Sequence, residues 1–231
     1  MRATDTVDCL ERRAIAFCLA GRLAAWPDAK LAADAQALAD GLLDGDALEL
    51  RLAELARTSN REAMESSYIE LFENGPRRSP IHETEYGRMR GLAKGNDLAD
   101  VEGFYLAFGL TRHDCGEAMA DHLGVELEFY GTLLAKLAAA HERTDDEGVH
   151  VMEGARHKFL EEHLGRFASA VALQPAVAEH PHYGPLLAVA AGLVETECSR
   201  LGLQPQPLDY FAGTTPEPDA VCGATVPLPG K

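Results

Sequence analysis

No Cys-x-x-Cys pair, Gly-x-Ser-x-Gly elbow, His-Glu-x-x-His helix or glycine-rich phosphate loop of standard spacing occurs in this chain. Those absences remove the sequence signatures of zinc ribbons, serine hydrolases, zinc proteases and nucleotide-binding loops. Strand patterns are missing too, since no segment sustains an alternation of β-branched and polar residues. Basic residues are scarce: 21 Lys plus Arg stand against 37 Asp plus Glu, a formal net charge of −16. Such a balance argues against non-specific nucleic-acid binding and against docking on anionic lipid, and it suits a basic partner. Cysteine is sparse and odd in number. Cys9, Cys18, Cys115, Cys198 and Cys222 show no metal-ligand spacing and suggest no disulfide framework, so a reducing compartment is expected. Cys115 lies close to His113, but in a short polar connection such proximity is commonplace.

Long apolar runs are also lacking, and none reaches the ~18 residues that a membrane span requires. Arg12 and Arg13, followed by Ala14 to Phe17, superficially resemble a twin-arginine export signal. Asp5, Asp8 and Glu11 precede the pair and Arg22 cuts the apolar run short, so the segment reads as part of a helix. The chain is expected to stay in the cytoplasm.

What is present is helical periodicity, in a chain 46% hydrophobic and long enough to bury a sizeable core. Val7, Leu10, Ala14, Phe17, Gly21 and Ala24 make one stripe, ended by Pro27. Short helices are expected from about Asp28 to Leu43 and from Asp46 to Arg57. Asn60 caps the next, which ends at Asn74, Gly75 and Pro76, before a loop exposing Arg77 and Arg78. Asn96 or Asp97 is expected to cap a helix whose Phe104, Tyr105 and Phe108 belong to the core. Met119, Leu123, Leu127, Tyr130, Leu134 and Leu137 predict one long amphipathic helix from about Glu117 to Ala140. Further helices are expected from Glu147 to about Leu173 and from Pro185 to Leu201. The fold class is therefore all-α: a single-domain helical bundle over residues 1–203, with a Pro-rich flexible tail over 204–231.

On the long helix Asp121, Val125, Glu128 and Thr132 point away from the leucine stripe, while His122, Glu126 and Phe129 lie on one flank. Val125 and Phe129 among charges indicate a helix contacted on both sides, with Asp121 and His122 partly buried. The competing reading is a metal-binding bundle, which needs two Glu-x-x-His pairs. Glu147 with His150 supplies one, whereas Glu179 with His182 is interrupted by Pro181, and His157 and His163 are poorly spaced. No metal and no cofactor are expected.

Tyr68, Ile69, Glu70, Leu71 and Phe72, then Gly75, Pro76, Pro80 and Glu83 to Tyr86, resemble the first signature of the TorD family of molybdoenzyme maturation chaperones. Asp121, His122 and the following Leu-Gly-Val-Glu-Leu-Glu-Phe resemble the second, and Phe159, Leu160, His163 and Leu164 a weaker third. The resemblance spans roughly residues 10 to 200. Its local form is similar to the branch serving type II enzymes of the dimethyl sulfoxide reductase group. One departure stands in the second signature: the family often has Glu-Pro before x-Asp-His, whereas Ala118 and Met119 occupy those places and Glu117 is one residue early. Asp121 and His122 are carried over; Glu117 is not.

The resemblance implies a non-enzymatic cytoplasmic chaperone of anaerobic respiration. Its partner would be the catalytic subunit of a molybdopterin oxidoreductase, whose twin-arginine signal peptide it binds until cofactor insertion. Tyr68, Leu71, Phe72, Pro80, Ile81 and Tyr86 would form the apolar side of the peptide site, and Glu83, Glu85, Asp121 and Glu126 would receive the arginines. His122 would orient Asp121 or gate the site near neutral pH. Two alternatives stay open, a structural adaptor for a folded subunit and a metal-dependent helical-bundle enzyme. The sequence does not choose between a monomer and a domain-swapped dimer.

Overall fold

A computed structural model of the chain describes residues 6–74, 79–86, 94–110 and 118–209. Gly75 to Arg78, His113, Cys115, Glu117, Cys222 and residues 210–231 of the tail lie outside the described residues. The described part is all-α. Helix α1 spans Val7–Ala24, α2 Leu31–Asp40, α3 Ala47–Thr58 and α4 Arg61–Tyr68, with α5 at Lys94–Ala107 and α6 at Leu123–Glu142. Helix α7 spans Asp146–Phe159, α8 Gly165–Ala172, α9 Pro175–Ala178 and α10 Tyr183–Leu201.

Local chemistry sets most of these boundaries. Thr6, Asp46 and Asn60 accept the backbone N–H groups that the first turns of α1, α3 and α4 leave unpaired, and Asp46 with Glu49 forms a full capping box. Gly202, at φ 71°, closes α10 in the left-handed conformation that glycine alone adopts cheaply. Two boundaries differ from expectation. Helix α5 begins at Lys94, so Asn96 and Asp97 lie inside it rather than capping it. Helix α6 begins at Leu123, leaving Met119 exposed ahead of it and making His122 the N-cap.

Two helices carry a π-helical turn that the three-four periodicity conceals. Ile69–Glu73 continues α4, and Leu160–Leu164 joins α7 to α8. Each widened turn is bonded to the segment 79–86, the first through the Leu71 carbonyl and the second through the His163 ring.

Helices α1 and α6 form the centre of the bundle. Leu10, Phe17, Leu127, Tyr130 and Leu134 are buried there, and the Phe17 and Tyr130 rings stand 4.7 Å apart. Each such side chain contributes roughly 1.5–3 kcal/mol by leaving water. The two backbones approach closely because the seam is lined by small residues. A Cβ on Gly21 would stand 2.5 Å from the Gly124 carbonyl oxygen, and one on Gly131 would stand 2.9 Å from that of Ala14.

A buried ion network ties four helices around this seam. Glu197 of α10 pairs with Arg13 of α1, accepts the Tyr130 hydroxyl of α6 at 3.0 Å and lies 3.9 Å from Arg156 of α7. Arg12 pairs with Glu49 at 2.9 Å. Both members of the twin-arginine look-alike are thus spent on the fold. After α10, Leu208 donates its N–H to the Arg166 carbonyl, and Arg166 Nε reaches back to the Gln206 carbonyl. No described helix is long and apolar enough to cross a membrane.

Candidate functional site

Residues 79–86 run as a strap across the start of α6. Ser79 donates its N–H to the Leu71 carbonyl at 2.7 Å, which fixes one end to the π turn after α4. Glu83 N–H donates to the Asp121 carbonyl at 2.8 Å and Leu123 N–H to that of Ile81 at 3.0 Å. These bonds make an isolated antiparallel bridge between His82 and His122. The strap then turns through a 3₁₀ segment, Glu83–Glu85, and the Tyr86 hydroxyl closes it by donating to the Pro80 carbonyl at 2.7 Å.

Side chains reinforce this lacing. Asp121 accepts the Thr84 hydroxyl at 2.6 Å and the Thr84 N–H at 3.3 Å, and it meets His82 Nδ1 at 3.2 Å. Burial alone would raise the Asp121 carboxyl, but His82 and Thr84 outweigh it and hold the group below its ordinary value. Glu83 meets His163 Nδ1, from the second π turn, at 3.0 Å. The other ring nitrogen of His163 lies 3.3 Å from Asp100 of α5. Burial would lower the His163 pKa, yet Glu83, Asp100 and Glu162 together raise it, so the imidazolium is favoured as the strap's clamp.

His122 behaves differently. Burial, with His82 nearby, drives its pKa down to about 3, so the ring is neutral. Its Nδ1 accepts the Gly124 N–H at 2.9 Å, which places the proton on Nε2, and that N–H donates to the Tyr68 hydroxyl oxygen at 2.8 Å. The ring therefore caps α6 and anchors Tyr68. It does not orient Asp121, and it does not titrate near neutral pH. Tyr68, with its own pKa pushed up to about 12 by burial and by Glu73, packs edge-on against Trp26, Phe72 and Tyr183.

The two motif blocks thus meet, as their residues would require of one site. Tyr68, Leu71, Phe72, Pro80, Ile81, Glu83, Tyr86, Asp121, His122 and Glu126 are all buried, while Glu85 is half-exposed. They face one another more than solvent. The exposed apolar surface beside them belongs to Trp26 and Ile69. Sequence reasoning missed His82, Thr84, Trp26 and the pairing of His163 with Glu83. A polar residue at every position from 82 to 85 was the available sign that this segment bonds inward.

Glu126 stands apart. It is fully buried, and among the described residues neither carboxylate oxygen has a hydrogen-bond partner. Burial, then the charges of Glu83 and Asp121, hold its pKa well above the ordinary value. As for metals, Glu147 and His150 are exposed on α7. Asp100, Glu162 and His163 bring ligand atoms within 4.8 Å of one another, but His163 is already engaged by Glu83 and Asp100 in an ion-pair network.

No curated protein sequence matches the chain. A family-level profile, described as the nitrate reductase delta subunit, matches residues 28–172, which takes in α2 to α8, the strap and the Asp121–His122 start of α6. With that match over more than half of the chain, and with an all-α bundle in which both signatures interlock, the chain belongs to the nitrate reductase delta subunit family, whose TorD-type members are redox-enzyme maturation chaperones.

Proposed function

We propose that this chain binds the twin-arginine signal of a molybdopterin oxidoreductase catalytic subunit in the cytoplasm and holds the subunit until its cofactor is inserted. The carrying observation is the gathering of Glu83 of the strap with Asp121 and Glu126 at the start of α6, in a chain with a net charge of −16. A signal of that kind has a basic start and an apolar continuation. The carboxylates suit the first by charge-assisted hydrogen bonds, and the Trp26, Ile69 and Tyr68 edge suits the second by burial. The task is recognition, and it asks for no covalent step.

Titrating the full chain with a twin-arginine leader peptide of a molybdopterin oxidoreductase catalytic subunit should give saturable binding that weakens with salt. Absence of binding at low salt, with a folded chain, overturns the reading. A second reading, an adaptor for the folded subunit surface, draws on the burial of the signature residues in this state. Pull-downs with full-length and leader-truncated client separate the two, since only the adaptor would retain the truncated form. The local form of the first signature favours a client of the type II dimethyl sulfoxide reductase group.

A further inference from the structure

This fold shows how it satisfies a buried glutamate when the role is structural. Glu197 receives two arginines and a tyrosine hydroxyl. Glu126 is equally buried and receives nothing. Its neighbours carry the same sign. Glu83 lies on the strap and Asp121 just before α6, and each is already engaged, Glu83 with His163 and Asp121 with Thr84 and His82. Of three clustered carboxyl groups, two hold the strap in place and one is left over.

A leftover buried carboxyl group with two empty acceptor oxygens calls for a donor that brings at least two N–H groups and a positive charge. A planar guanidinium matches both requirements, because its paired N–H groups meet both oxygens at once. An ammonium offers the charge without the fork. We infer that Glu126 is the receptor for one guanidinium of the client peptide, reached when the strap of residues 79–86 lifts from the start of α6. This rests on the signal-binding reading and makes it specific to one acceptor. The strap's own bonds define the closed state: two backbone bonds, the Thr84 bonds to Asp121 and the His163 clamp.

The inference has a proton signature. In the closed state Glu126 favours its protonated form, since burial, Glu83 and Asp121 all oppose its charge. Pairing with a guanidinium requires the carboxylate, so Glu126 gives up its proton to the buffer on binding, while lifting the strap also frees His163 from Glu83.

Calorimetric titration of the full chain with the leader peptide, at neutral pH in two buffers of different ionisation enthalpy, counts those protons. Glu126→Gln should bind at least about tenfold more weakly and release about one proton fewer than the unaltered chain, while Glu85→Gln should keep the proton count. If Glu126→Gln keeps both affinity and proton release, the receptor assignment is overturned while signal binding itself stands. If the unaltered chain binds no peptide, the broader reading falls with it. A version that leaves the protein untouched replaces each peptide arginine in turn by citrulline, which keeps the shape and removes the charge. One of the two replacements should lower the proton count by about one; an unchanged count through both replacements overturns the inference.

Discussion

Two buried glutamates on different helices teach different lessons about what burial means. Glu197 sits amid Arg13, Arg156 and Tyr130, with every charge answered. Glu126 sits beside Glu83 and Asp121, with its own oxygens unanswered. Burial cost is similar in kind at both places, because removing a carboxyl group from water is unfavourable wherever it happens. At Glu197 the fold offsets that cost internally and gains a brace across four helices. At Glu126 the cost is left standing, beneath a strap held by polar bonds and by the buried side chains of Ile81 and Tyr86. One region is braced; the other is where we propose that the fold opens.

The sharpest way to break this comparison is to remove each group. Glu197→Ala leaves two arginines buried without a counter-charge and should cost about 3–5 kcal/mol. Urea unfolding would measure it, and a loss under about 1 kcal/mol would mean that the network is not a brace. Thr84→Val removes the hydroxyl that donates to Asp121 at 2.6 Å. A hydrogen bond to a charged group contributes roughly 1.5–3 kcal/mol, so the loss should fall in that range and show first as faster hydrogen exchange over residues 79–86. Glu126→Met should move the other way, stabilising the chain by about 1 kcal/mol, since a buried polar group without a partner is replaced by one that needs none. A destabilisation there of the size expected at Glu197 would erase the contrast between the two sites.

The smallest expected effect is a slope with pH. The His163 pKa is raised on folding, so its stabilisation is complete below its unfolded value of about 6.5 and is lost as pH rises through the higher folded value. Glu126 is shifted in the same direction, with its contribution complete below about 4.5 and lost on the alkaline side. Stability should therefore decline as pH rises above about 4.5 through Glu126, and more steeply above about 6.5 where His163 adds to it, by no more than ~1.4 kcal/mol per pH unit for each proton. His163→Gln should flatten the decline, as urea midpoints from about pH 6.5 to about pH 9 would reveal.

The helices were legible because their periodicity is local. Leu127, Tyr130, Leu134 and Leu137 fall on the buried side of α6 as their spacing predicts. The tight α1–α6 approach was equally written in the chain, since Ala14 with Gly21, and Gly124 with Gly131 and Ala138, recur at seven-residue intervals. The start of α6 was not. Leu123 gives its N–H to Ile81 from a distant segment, and no period within the helix announces that bond. The Glu197 network joins residues from both ends of the chain, so no local pattern contains it. At the candidate site, motif resemblance pointed to residues that the fold brings together. Whether each faced outward or inward depended on Thr84, His82 and His163, which the motifs do not mark as partners.

The two π turns have a consequence in chain length rather than in chemistry. A π turn accommodates roughly one residue more than an α turn, and taking out one residue restores the tighter helix and rotates the downstream residues by about 100°. Deleting Glu161 would leave Phe159 in the core and swing His163 away from Glu83, while keeping the composition of the site almost unchanged. The clamp is thus specified by a count. A chain of this fold that is one residue shorter between Phe159 and Gly165 should carry the same imidazole and carboxylate and yet fail to join them.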